Sequence, residues 1–221
     1  MKILIVSATE LELNPIKEGL GLAVDLTSAN IKQHQLDFLI TGVGMVATAF
    51  ELGEWLSENQ YDLAINLGIA GAFDKNIPLG EVVEVESDFF PEMGAEEGDK
   101  FLTIHDLGLI EKNDFPFESG RIKAKHTLNL SSQLKKVTGI TVNKVHGNED
   151  SIAKLLSHFM VEVESMEGAA FFYACRNRGV ACIQLRGISN YVEKRDKNSW
   201  EIELALKNLT SVGLNLLNEL T

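Results

Sequence analysis

The sequence predicts an α/β protein built on a mostly parallel, buried sheet, and three observations carry that prediction. Short β-branched or Leu-rich runs recur between longer stretches of helical period. Apolar residues make up 45% of the 221 residues, which suits one sizeable core better than two small ones. Charged residues account for 24%, as in ordinary globular chains and unlike disordered ones. A single domain over the whole chain, residues 1–221, is the expectation.

Taken in order, the β-branched and Leu-rich runs place strands at Lys2–Ser7, Asp37–Thr41, Leu63–Leu67, Glu81–Ser87, Thr141–His146, Val161–Glu164 and Val180–Ile188. Helical periodicity places helices at Glu10–Gly19, Met45–Glu58, Glu149–His158, Met166–Arg178 and Ser199–Leu220. The last has the clearest signals: Asn198 with Glu201 three residues on suits a helix start, and Ile202, Leu206, Leu209, Leu216 and Leu217 share an apolar face. Between Phe89 and Gly120 the pattern breaks into Gly, Pro and acidic residues, an insertion of the kind that serves a site or an interface more often than a core.

Charge and composition exclude several function classes. A net charge of −12 with no long Lys/Arg cluster argues against nucleic acid as a partner. No run approaches the ~18 apolar residues of a membrane span, and the short apolar start, Met1–Val6, lacks the length of a signal peptide, so a soluble cytoplasmic protein is expected. Cys175 and Cys182 read as a buried thiol pair. The five histidines show no ligand spacing, so no metal site is predicted.

Two glycine segments follow strands. Thr41-Gly42-Val43-Gly44 opens a helix like a dinucleotide fingerprint, yet the acidic residue at the required spacing, Asp62, precedes its strand and so lies at the wrong end of the sheet. Gly42 still permits a close backbone approach to a ligand or simply a tight turn. The second, Asn66-Leu67-Gly68-Ile69-Ala70-Gly71, could line a flat ligand with backbone amides.

Carboxylates also sit just past strands, where open α/β sheets bind ligands. Glu12 lies in Ser7-Ala8-Thr9-Glu10-Leu11-Glu12. Glu167 lies in Val163-Glu164-Ser165-Met166-Glu167-Gly168-Ala169-Ala170, an apolar helix start in which a carboxylate needs a partner or a ligand. Arg186 and Asn190, in Arg186-Gly187-Ile188-Ser189-Asn190, complete a constellation of two carboxylates, an amide and an arginine at one crevice.

These five segments, in this order, resemble the nucleoside phosphorylase superfamily, and within it the hydrolytic branch of methylthioadenosine/S-adenosylhomocysteine nucleosidases and futalosine hydrolases. The resemblance implies a mixed, barrel-like central sheet flanked by helices, a homodimer, and no cofactor. It also implies roles: Glu12 activates the attacking water, Met166 packs on the ribose, Glu167 binds the ribose hydroxyls, Asn190 faces the departing base, and Arg186 supports the site. Gly42, Ile69, Ala70 and Gly71 would line the substrate.

The branch members that cleave adenine nucleosides carry Asp at the position of Asn190. A 6-oxopurine presents two acceptors, N7 and O6, which suit an amide NH₂ and leave a carboxylate partly unpaired. The expected reaction is therefore hydrolysis of a 6-oxopurine nucleoside, futalosine above others. An adenine nucleosidase is the first alternative and a non-catalytic nucleoside-binding protein the second. Phosphate would require arginines near the first glycine segment, but the first arginine of the chain is Arg121, so water is the expected nucleophile. The benzoate of futalosine calls for a cation, with Arg121, Lys123 and Arg195 as candidates. The family's base-stacking aromatic has no counterpart near Gly147–Ser151.

Overall fold

A computed structural model of the chain describes residues 1–126 and 134–220. The chain begins with β1 (Lys2–Ser7) and α1 (Glu10–Gly19), followed by a hairpin of β2 (Ser28–Ile31) and β3 (His34–Ile40) and then α2 (Met45–Glu58). Two longer strands come next, β4 (Leu63–Ala72) and β5 (Val82–Asp88). An excursion carries β6 (Gly94–Glu97), β7 (Lys100–Thr103) and the short β8 (Ile122–Lys123). The second half holds β9 (Lys135–Thr141), α3 (Glu149–His158), β10 (Val163–Ser165), α4 (Gly168–Asn177), β11 (Ala181–Tyr191) and α5 (Ile202–Glu219).

The sheet order is β10-β9-β5-β11-β4-β1-β3-β2. One edge of β4 is divided: Leu63–Asn66 pair with β1 in parallel, whereas Gly71 and Ala72 pair with β10 in antiparallel fashion. That second pairing closes β4, β11, β5, β9 and β10 into a five-stranded ring, so the mixed, barrel-like sheet anticipated above is present. The strands alternate their side chains between two cores. Ile3, Ile5, Ile65, Leu67, Ile183 and Leu185 pack with Leu13 and Ile16 of α1 and Leu209, Leu216 and Leu217 of α5. Leu4, Val6, Ala64, Cys182 and Ile188 face the other way, onto Leu52 and Leu56 of α2 and Phe171, Phe172 and Cys175 of α4. Both cysteines are free and buried.

Several sequence-based boundaries move. The strand expected at Thr141–His146 ends where it was to begin, because side-chain carboxylates take over from the sheet ladder: Asn143 donates its backbone N–H to Glu92 and His146 to Glu164. The residues expected to form a glycine loop after β4 continue the strand to Ala72, and β11 likewise runs to Tyr191. Helix α5 starts at Ile202, since Asp196 caps a 3₁₀ turn at Lys197–Ser199, and Glu201 in the N-cap position makes no capping bond. The β2 strand was missed because its short Ser28–Ile31 run lies at a sheet edge and alternates exposed with half-buried. Among the described residues no helix is long and apolar enough to cross a membrane.

Candidate active site

The ends of β1, β4, β10 and β11 meet the first turns of α1 and α4 around a cavity of about 270 Å³. Glu12 reaches it from α1. The helix opens with a capping box, in which Glu12 Oε2 accepts from the backbone N–H of Thr9 at 3.1 Å and from its hydroxyl at 3.0 Å. Its other oxygen accepts from the backbone N–H of Ile69 at 3.2 Å. One carboxylate thus ties α1 to β4 and still borders the cavity. Burial is the largest influence on it and pushes its pKa up, opposed in part by the charge of Arg186.

Glu167 occupies the N-cap position of α4 and is buried. Its Oε1 accepts from the backbone N–H of Gly44 at 2.9 Å. Gly44 has φ 94°, a left-handed value that admits glycine without strain, and this conformation points its N–H at a carboxylate 123 residues away. The segment resembling a dinucleotide fingerprint therefore serves to anchor a carboxylate. Gly42, expected to line the substrate, does not border the cavity; Val43 does, because Gly42 turns the chain into α2 with φ 81°.

Arg186 is the residue expected to support the site. It is fully buried beneath the cavity floor rather than lining it, bonded through Nη2 to the side-chain oxygen of Asn66. Asn66 in turn donates to the carbonyl of Val6 at 3.1 Å. Burial lowers the guanidinium pKa, while Glu167, Glu12 and Asp88 raise it by their charge. Gly68 makes room for this cation, since a Cβ there would stand 2.3 Å from Arg186 Nη1 and 3.0 Å from Glu12 Oε1. The glycine belongs to a strand and is required by its neighbours, not by a turn.

On β11 the register against β4 slips between Ile188 and Asn190, so that Ile188 opposes Ala70 and Asn190 opposes Gly71. This bulge at Ser189 breaks the two-residue alternation: Ile188 points into the core, whereas Asn190 turns to the cavity. A Cβ on Gly71 would lie 3.1 Å from Asn190 Nδ2. The amide is oriented by both neighbours. Its oxygen accepts from the Ser189 hydroxyl at 2.9 Å, and its nitrogen donates one hydrogen to the Tyr191 carbonyl at 3.0 Å. Its second N–H has no partner among the described residues. Ile69, Ala70, Gly71 and Met166 line the cavity as expected.

A smaller annex of about 50 Å³ opens beside Asn190 and shares Gly71, Val145, Glu164 and Asn190 with the main cavity. Trp200 and Arg195 line it, with the guanidinium 5.0 Å from the ring centroid. Of the three candidate cations, Arg195 alone borders this annex. Arg121 lies over Phe89 in a separate aromatic cavity, and Lys123 pairs with Glu118 at 3.2 Å.

Three features were not found by sequence reasoning. Asp88 is 1% exposed beneath Gly168, and accepts from Phe89 N–H, the Thr141 hydroxyl and Gln184 Nε2 at 2.8, 3.0 and 3.2 Å; burial pushes its pKa up to about 6. Glu164 is 3% exposed and accepts twice from His146, from the backbone N–H at 2.9 Å and from Nδ1 at 2.7 Å. Trp200, lining the annex, is the third. Asp88 and Glu164 acquire their surroundings from strands remote in sequence, which no local pattern encodes, and the one available signal for Trp200 is an aromatic ten residues past Asn190.

The fold and the paired carboxylates define a class before they define a member. The family model described as "Phosphorylase superfamily" matches residues 2–220, and the chain belongs to that superfamily. Within it, a futalosine hydrolase of Thermus thermophilus is 33% identical over 219 residues, covering 98% of this chain and 95% of the relative. A 5'-methylthioadenosine/S-adenosylhomocysteine nucleosidase of Colwellia psychrerythraea is 30% identical over 241 residues, covering 100% and 97%. Among solved structures, futalosine hydrolase of Helicobacter pylori superposes with a TM-score of 0.82 over 99% of this chain and 98% of that one, at 17% identity.

Proposed function

We propose that this chain hydrolyses the N-glycosidic bond of a 6-oxopurine nucleoside, converting futalosine to hypoxanthine and dehypoxanthine futalosine, a step of menaquinone biosynthesis. The names of its relatives support a hydrolytic nucleosidase, and the observation that favours a 6-oxopurine is Asn190, whose amide presents an N–H to the cavity. N7 and O6 of hypoxanthine both accept, so the one N–H that Asn190 does not give to Tyr191 can serve either, while the 6-amino group of adenine is itself a donor. The adenine nucleosidase remains the second reading because one of the relatives bears that name.

Cleavage leaves positive charge on the sugar as the C1'–N9 bond breaks and its electron pair goes to the purine. Glu167 binds the ribose hydroxyls and, with its charge close by, stabilises that cation. Glu12 takes a proton from the water that attacks C1' and releases it through solvent to the purine anion, which leaves as neutral hypoxanthine; burial makes Glu12 a stronger base than an ordinary glutamate. Met166 covers the ribose, and Asn190 stabilises the departing base by hydrogen bonding. Arg186 balances the buried carboxylates from below. Among the described residues no lysine or arginine lines the main cavity, which favours water over phosphate as nucleophile. Both carboxylates are retained, which argues against a silent binding protein.

The exposed apolar residues Val46 and Phe50 of α2 continue from Val43 at the cavity mouth. A second copy of the chain covers them, giving a cytoplasmic homodimer. The reaction is tested by incubating purified protein with futalosine, inosine and methylthioadenosine in phosphate-free buffer and following base release. Futalosine and inosine should be cleaved without phosphate. Turnover of methylthioadenosine alone would assign the adenine activity, and strict phosphate dependence would assign a phosphorylase.

A further inference from the structure

A 6-oxopurine offers three groups in succession along one edge: the acceptors N7 and O6, then the donor N1–H. Asn190 satisfies acceptors only, and a buried N–H left without a partner costs binding about tenfold. Beside Asn190, in the annex, the His146 ring is held by Glu164 at 2.7 Å, with the backbone N–H of the same histidine bonded to the other carboxylate oxygen. The ring is edge-on to Phe73, with centroids 6.2 Å apart, and its side chain is 11% exposed. Because an ionised carboxylate only accepts, the bond fixes a hydrogen on Nδ1 and turns the lone pair of Nε2 outward in the neutral ring. Nε2 has no partner among the described residues, and it is not among the buried unpartnered atoms.

The carboxylates of the annex are occupied. Glu193 bonds Lys75 at 2.6 Å, and Asp196 caps the 3₁₀ turn. Glu164 has both oxygens engaged by His146. We infer that His146, oriented by Glu164, is a specificity-determining residue that accepts the N1–H of the 6-oxopurine base. Adenine would set its own N1 lone pair against that of Nε2, so the pair selects against adenine as well as for hypoxanthine. The inference rests on the 6-oxopurine reading above and extends it from N7 and O6 to the far side of the ring.

The test measures kcat and KM for inosine and adenosine, and hypoxanthine affinity by calorimetry, in the wild type, His146→Phe and Glu164→Gln. His146→Phe should lower kcat/KM for inosine about tenfold, mostly through KM, and weaken hypoxanthine by a similar factor, with adenosine unchanged or improved. Glu164→Gln should shift selectivity in the same direction by a smaller factor, because its NH₂ can donate to Nδ1 and move the ring hydrogen to Nε2. An equal loss for both nucleosides, or none for either, would overturn the inference while leaving the 6-oxopurine reading intact. A wild type that cleaves adenosine and neither inosine nor futalosine would overturn both.

Discussion

The site has two halves of different construction. The half borne by the ring and the starts of α1 and α4, with Glu12 clasped to Ile69, Glu167 to Gly44 and Arg186 beneath Gly68, is largely buried, and its carboxylates accept from backbone N–H groups. The half borne by loops, from Val145 to Gly147 and from Glu193 to Trp200, is open, with Lys194, Arg195 and Asp196 exposed. In the proposed mechanism, the groups that meet developing charge at a fixed distance are on strands and helix starts, where a neighbour's close packing holds them. His146, Arg195 and Trp200, which border the annex, are on segments that can vary without disturbing the sheet. The difference predicts that changes to the first half alter chemistry or stability, and changes to the second alter which substrate is held.

The largest effect should come from Glu12→Gln, which keeps volume and removes the base: kcat is expected to fall by about 10³-fold with the melting temperature nearly unchanged. Glu167→Gln should behave alike, and a comparable fall in melting temperature would instead make that carboxylate structural. Rate assays with thermal melts separate these outcomes. Next, Arg186→Leu should destabilise the fold by roughly 3–5 kcal/mol in urea unfolding, because Glu12 and Asp88 lose their buried counter-charge. A loss of turnover without a loss of stability would show that the arginine is not a structural counter-ion.

Two pH effects follow. Asp88 has a folded pKa near 6, above that of an unfolded aspartate. Protonation is therefore favoured in the folded state, and its contribution to stability is lost as pH rises from about 4 to 6, by roughly 3 kcal/mol. Stability of Asp88→Asn relative to the wild type should rise across that window; a flat difference would refute the assignment. In the proposed mechanism Glu12 must be ionised to act as the base, so the acidic limb of kcat/KM should lie above the ordinary glutamate range, since burial raises its pKa. The smallest effect belongs to the loops: Trp200→Ala should raise KM for futalosine about tenfold and leave kcat and stability near wild type. A fall in kcat instead would erase the contrast between the two halves.

The alternation of strands and helices was legible because a buried sheet writes itself as repeated β-branched runs. Glu12, Glu167 and Asn190 were legible too, as polar residues immediately beyond such runs. Gly68 and Gly71 were misread as loop, since a glycine in sequence announces freedom of the backbone and here records the closeness of Arg186 and Asn190. Asp88 and the pair of Glu164 with His146 were invisible: the first depends on β5 lying beside β9 and β11, and the second on β10 ending next to the loop after β9. Such neighbours are created by ring closure and leave no periodic trace.

The slip at Ser189 has an evolutionary corollary. Aspartate and asparagine have the same shape, so exchanging one for the other at position 190 would trade an acceptor for a donor with no adjustment of the main chain. Straightening the bulge with Ser189 kept in the ladder would instead put position 190 on the face of Ile188 and swing its side chain into the hydrophobic interior. On the proposed reading, preference for a nucleobase can thus drift through a single codon, whereas the aim of that residue is locked by the bulge in the strand.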